Sequence, residues 1–392
     1  MGPTVNHGFQ IRLFMHYAGL LKTHPAGQDK LLQLKDDPRI EALTSRLITR
    51  GRSGFLFDLN TLVMWWMWRA NETNKDTANT DLERFLDAEV VDTLVVHWVH
   101  GVKTASSISV TDSVQIVSPE EMIDSDDKED VCRLPDQPFS SISIKPTAAL
   151  IATCSVRRDS DQNISLSVVD DDLNTVSQNL AEVALLLNCM PSLCCVTGYC
   201  TTYAPPHVPF GPFSGRAGGG TRRDITPQST CLLDNFDETH FRAILCGFRK
   251  LSSSWKVRFE QALSRFSQSK SRENVSDKLL DLGIALEMVL LNSEQRGELP
   301  GQLHSHFRSR GAWLTGQDFD DRKHTYKLLG EIYSLRSQVA HNGKAESLEK
   351  ISHEEREQKI DAYISMAEKI FCALLTNGPP REWSDLVLGG TD

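Results

Sequence analysis

Between Tyr203 and Thr226 the chain places Pro205, Pro206, Pro209 and Pro212 ahead of Gly215, Gly218, Gly219 and Gly220. Proline lacks a backbone donor and fixes one dihedral, and glycine is costly to order, so the stretch excludes a helix or a central strand. It separates two different patterns. On its amino-terminal side, β-branched runs such as Leu94-Val95-Val96, Ile108-Ser109-Val110 and Val114-Gln115-Ile116-Val117 read as strands. On its carboxy-terminal side, from Asp234 on, apolar residues recur at helical spacing. Arg216, Arg222 and Arg223 make the stretch basic, but it lacks the Gly-Lys-Ser/Thr ending of a phosphate loop and reads as a connector.

The sequence therefore predicts an α+β chain, with a β-rich mixed domain followed by an all-α bundle. The expected boundaries are 1–204 for the first domain, 205–233 for the linker, 234–380 for the helical domain and 381–392 for a tail. A length of 392 residues supports two domains. In the first, Ser140 to Val169 returns to strand patterns. The Trp65-Trp66-Met67-Trp68 run sits in an apolar segment that fits a strand pair or a short helix and reads as core. His97 and His100 read as structural histidines, the acidic run Glu120 to Asp130 as a solvated loop, and Asp170 to Asp172 as the cap of a helix. Cys189, Cys194, Cys195 and Cys200 lack the paired two-residue spacing of a zinc site and read as buried free thiols.

In the second, six helical segments are expected. The strongest run from Val275 to Leu291 and from Arg322 to His341, with Asp320 or Asp321 capping the latter. A net charge of −10 argues against non-specific coating of nucleic acid while leaving room for a local basic cleft. Nine cysteines, no secretory pattern and no apolar run near 20 residues point to a soluble cytoplasmic protein with no membrane partner.

One short stretch carries chemistry: Tyr333-Ser334-Leu335-Arg336-Ser337-Gln338-Val339-Ala340-His341-Asn342-Gly343. Arg336 is a permanent cation whose forked donors suit a phosphate, and His341 can exchange a proton near neutral pH. Five positions along a helix turn the second residue roughly 140° from the first and shift it about 7.5 Å. The pair converges on one phosphate only if the helix unwinds at Asn342-Gly343 or a symmetric partner supplies the other half. Alone, such a pair is a common helix end.

Ala285-Leu286-Glu287-Met288-Val289-Leu290-Leu291, then Arg310-Gly311-Ala312-Trp313-Leu314-Thr315-Gly316 with Arg322, then Ile332 to Gly343 form an ordered set of blocks. Together, over roughly 235–378, they resemble the HEPN superfamily, most closely its ApeA-like branch of bacterial anti-phage proteins. The resemblance implies a metal-independent endoribonuclease of antiviral or toxin type, acting as a homodimer or higher homo-oligomer. The implied substrate is RNA, with tRNA among the candidates, and a phage-derived trigger is a candidate activator. No cofactor and no metal are implied. The catalytic roles fall on Arg336 and His341, and on Ser337 as the polar residue after the arginine, where the family often has Asn, Asp or His. Glu287 reads either as a solvated position or as the partner that orients Arg336. Tyr333 reads first as a packing residue and, with Asn342, is a substrate-binding candidate. Asn342 also separates His341 from Gly343, where the family tends to place glycine directly after the histidine. The alternative is a catalytically silent HEPN module that dimerises or binds RNA or a protein.

Overall fold

The computed structural model describes residues 8–50, 53–122, 128, 131–132, 145–161, 171–209, 217–219, 230–233, 236–291 and 300–388. The fold is α+β. The chain forms two compact units: Met1–Trp98 with Ser106–Ala181 and Thr197–Thr221, and Arg222–Asp392 with Val99–Ala105 and Glu182–Val196. Neither is contiguous, because two short excursions of the first half belong with the carboxy-terminal unit.

The first unit is more helical than its sequence suggests. Helices α1 (Gly8–Thr23), α2 (Pro25–Lys35) and α3 (Pro38–Leu43) precede the hairpin β1 (Arg46–Arg50) and β2 (Ser53–Leu56). Then come α4 (Leu59–Glu72) and α5 (Lys75–Asp87). Local signals explain their starts. Proline stands at the first helical positions of α2 and α3, where no donor is needed, and Asp37, Asp58 and Asn74 cap α3, α4 and α5. The tryptophan run hid its periodicity because five successive residues of α4, Leu62 to Trp66, are all buried. Trp65 is fully buried and Trp66 nearly so, each donating its indole N–H inside the unit, to Pro206 O and to Asn79 Oδ1. Both are core, as their apolar setting suggests.

β3 (Val90–His100), β5 (Ile108–Ser109), β6 (Gln115–Val117), β7 (Ala148–Arg157), β9 (Val196–Tyr203) and β10 (Ala217–Gly219) form one sheet in the order β10-β9-β3-β7-β6-β5. β6 pairs antiparallel with β7, setting Ile116 against Leu150, and β8 (Asp159–Asp161) joins β1 and β2 in a second sheet. Leu94, Val96 and Trp98 alternate along β3 into a cluster with Val117, Ala149 and Tyr199, and Trp98 donates to Thr201. Part of the stretch expected only to connect, Ala217–Gly219, adds an edge strand, the position a glycine-rich strand tolerates. The expected strands around Ile142 and Ile164, most of the acidic run, and Arg216, Arg222 and Arg223 lie outside the described residues. His97 and His100 are buried, His97 Nε2 lying 3.0 Å from Ser177 Oγ. The cysteines are free thiols; Cys189 and Cys195 are fully packed, Cys194 and Cys200 half-buried.

The helix α6 (Asp171–Leu186) runs into a short 3-10 turn, Leu187–Cys189. In the second unit the two-stranded parallel pair β4 (Val102–Lys103) and β11 (Cys231–Leu232) accompanies a helical bundle. Its members are α7 (Glu238–Lys250), α8 (Ser253–Ser271), α9 (Val275–Leu290), α10 (Pro300–Thr315), α11 (Phe319–Asn342), α12 (Glu346–Glu349), α13 (His353–Asn377) and α14 (Trp383–Leu388). Phe241, Phe259, Phe266 and Phe371 are fully buried, with Phe266 stacked on Phe371 at 5.0 Å. Each such ring contributes about 1.5–3 kcal/mol by leaving water. Asp318, rather than Asp320 or Asp321, caps α11, accepting from the Asp321 N–H. The expected tail, 381–392, folds as helix through Leu388 and buries Trp383, over which the Arg310 guanidinium lies 4.9 Å from the ring centre. Among the described residues no helix is long and apolar enough to cross a membrane.

Candidate functional site

α9 and α11 meet at a glycine. A Cβ on Gly283 would stand 2.6 Å from Arg336 Cβ and still closer to its Cγ, so only glycine lets the arginine stem lie flat on α9. One turn further along α9, Glu287 Oε2 accepts from Arg336 Nη2 at 2.8 Å. The i, i+4 spacing of Gly283 and Glu287 thus makes a seat and a clamp for one side chain. Arg336 Nε is buried without a hydrogen-bond partner, while the side chain as a whole keeps 29% of its surface exposed. Of the two readings open for Glu287, the structure selects the partner of Arg336.

Burial pushes the Glu287 carboxyl above its ordinary range, and the Arg336 charge opposes that shift only in part. A folded-state value above the unfolded one means the folded chain holds this proton more tightly. The stabilising effect is full below the unfolded value and is lost as pH rises through the raised folded one. Ionised Glu287 therefore costs stability at neutral pH, an arrangement more typical of working sites than of cores. Glu287→Gln is expected to flatten the pH dependence of melting from the ordinary glutamate range upward. Melting curves of both proteins across acidic pH check this; parallel curves would remove the assigned titration.

The other blocks are structural. Arg310, 3% exposed, donates from Nη1 to Leu290 O at 2.8 Å and so closes the carboxy-terminal end of α9. The Arg322 guanidinium lies over the Trp313 ring at 4.1 Å and fixes the turn from α10 to α11. Tyr333 packs against Phe307 and against the His304 ring at 4.8 Å, in keeping with its first reading as a packing residue. Ser337 is half-buried and His341 and Asn342 are exposed. α11 continues through Asn342 and ends at Gly343, which adopts φ 75° as a left-handed cap. The helix therefore does not unwind before His341. Arg336 and His341 remain roughly 140° apart around it, and one α11 does not bring them onto one stripe.

Two features escaped the sequence reading. Gly283 was detectable as a lone glycine inside a strongly helical run, a position that signals close approach. The second is a cavity of about 440 Å³ on the face of α11 turned away from Arg336, lined by Arg308, Lys327, Ser334, Gln338 and Lys359 among others, with Glu331 paired to Lys359 at 3.5 Å. Its cations come from three helices, so sequence proximity could not assemble them. His304, also in its wall, has a buried Nε2 without a partner, and burial together with Arg308 holds its pKa below the ordinary imidazole range.

Gly283→Ala provides a direct test of the seat. It is expected to cost about 1–3 kcal/mol, because the clash involves the inflexible root of Arg336 rather than its tip. Thermal melting measures the cost, and an unchanged melting temperature would show that the helices have room.

The fold and site define an α+β protein whose helical unit carries an arginine clamped to a half-buried glutamate across two helices. Compared with known protein families, curated proteins and solved structures, the chain matches none.

Proposed function

We propose that the helical unit is a metal-independent endoribonuclease of HEPN type, working as a homodimer in anti-phage defence. The observation that carries this reading is the Gly283–Glu287 seat, which presents Arg336 in fixed orientation with donors left over, on the helix whose exposed end bears His341. Arg336 stabilises charge on the phosphoryl oxygens. His341 removes the proton from a ribose 2′-hydroxyl or protonates the leaving 5′-oxygen. The 2′-oxygen bonds to phosphorus as the bond to the 5′-oxygen breaks, leaving a 2′,3′-cyclic phosphate and a 5′-hydroxyl. Ser337 assists the catalytic pair from the same helix, and Asn342 contacts the substrate. A cytoplasmic location fits this substrate.

A second reading has one observation in its favour. The Arg336–Glu287 pair ties two helices together, which a silent HEPN module serving dimerisation, RNA binding or partner binding would also use. Cleavage of total RNA in EDTA separates the two. Wild type is expected to cut, and Arg336→Ala and His341→Ala to lose about 10²-fold or more each. Equal cleavage by all three proteins would move the site elsewhere, and products ending in a 3′-hydroxyl would rule out the 2′-hydroxyl route.

A further inference from the structure

A groove of about 750 Å³ lies within the first unit between α2, α4 and α5. Its wall contains Lys30, a lysine only 7% exposed. The ammonium donates to Gln33 Oε1 at 3.2 Å and Asn79 Oδ1 at 3.1 Å and sits 5.4 Å from the centre of the Trp66 ring. An ammonium has three hydrogens to give; among the described residues one of them has no acceptor and no carboxylate stands within ion-pair distance. Lys270, buried to the same degree in the second unit, is different: all three of its donors are taken, one by the Glu368 carboxylate at 2.6 Å.

The neighbours of Lys30 extend the surplus. Asn79 Oδ1 accepts from both Lys30 and the Trp66 indole N–H, at 2.9 Å for the latter, which fixes the oxygen end of the amide. The Asn79 amide NH₂ is left without a partner among the described residues. Gln33 gives its oxygen to Lys30 and leaves its own NH₂ free in the same way. Lys75 stands at the rim. Of the two carboxylates there, Glu83 is engaged with Arg39 at 2.8 Å, which leaves Asp29 opposed to the two lysines, with His24 beside it.

A buried ammonium without an ion-pair partner is costly, and the half-buried Asn79 and exposed Gln33 amides line the same groove with donors to spare. We propose that this groove binds a phosphoryl group, held by Lys30, the Asn79 and Gln33 amides and Lys75. A tetrahedral oxyanion offers several acceptor oxygens to donors arriving from two helices, whereas a carboxylate offers two in one plane. Burial holds the Lys30 pKa below the ordinary lysine range against the pull of Glu83, with Lys75 adding the smallest push, and a bound anion would relieve that cost. The site is separate from the Arg336 seat and does not depend on the nuclease reading.

Calorimetric titration of the full chain with inorganic phosphate and phenyl phosphate, with benzoate and phenol as controls, tests it. Saturable binding of a phosphate probe is expected, weakened about tenfold or more by Asn79→Asp. That substitution keeps the acceptor for Trp66 and Lys30, removes the NH₂ donors and places a carboxylate where the anion would sit. Its melting temperature should equal or exceed that of wild type. Lys30→Met, which removes the charge and keeps the stem, is expected to abolish binding. Equal binding of both phosphate probes assigns the site to the free ion, and binding of phenyl phosphate alone assigns it to a phosphate ester. The proposal is overturned if neither probe binds up to about 10 mM. It is also overturned if Asn79→Asp binds as tightly as wild type, or if benzoate binds as tightly as phenyl phosphate.

Discussion

Replacing Glu368 with alanine is expected to lower the melting temperature of the helical unit by on the order of 10 °C, a loss of about 3–5 kcal/mol. The reason is the company Glu368 keeps. Its side chain is 9% exposed and that of Lys270 4%, and their charged atoms lie 2.6 Å apart. Lys270 also donates to Asn188 O and Leu193 O at 2.7 Å each, and Glu368 Oε1 accepts from the Ser192 N–H at 3.1 Å. Ser192 adopts φ 60°, a conformation few non-glycine residues hold without outside support. The pair therefore pins the 188–193 turn to α8 and α13, and removing one partner strands a buried charge and frees the turn together.

The double substitution Lys270→Met with Glu368→Leu discriminates this account from simple loss of packing. A stranded charge disappears when both partners go, so the double variant should be more stable than either single. Thermal unfolding of the four proteins followed by circular dichroism gives the coupling. Single costs that are small and add would show that the pair contributes little.

The carboxy-terminal helices were legible because each buries one face and shows the other to water. Leu279, Leu282, Leu286, Val289 and Leu290 repeat at helical spacing and are all buried on α9. The amino-terminal helices were not, for two physical reasons. α4 is buried almost all round at its centre, which erases periodicity, and α2 is short with polar and apolar residues mixed, so its existence depends on neighbours more than on pattern. The Arg336–Glu287 contact was half legible: a polar residue in an apolar helix called for a partner, but its distance of 49 positions gave no register. Gly283 supplies that register, since the only α9 position open enough for the Arg336 stem lies one turn from Glu287. The Lys30 groove had no sequence signature, because its donors are ordinary residues whose neighbours happen to use up their acceptors.

The regular course of α11 leads to the sharpest test of the proposed chemistry. Arg336 faces α9, and His341, roughly 140° around the same helix, faces outward at its exposed end. If a catalytic centre combines the arginine of one chain with the histidine of its partner, Arg336→Ala and His341→Ala are each inactive alone but complement each other when mixed. Random exchange makes half of the dimers mixed, and each mixed dimer has one of two centres intact. The expected rate is therefore about one quarter of wild type at equal total protein, from two preparations that are each about 10²-fold or more below it. Mixing is done after mild dissociation, with RNA cleavage in EDTA as the readout and mass measurement in solution to confirm exchange. No recovery despite confirmed exchange would place arginine and histidine in the same chain's centre. That result would require α11 to unwind before His341 when RNA binds, since the helix as it stands keeps the two side chains on separate faces.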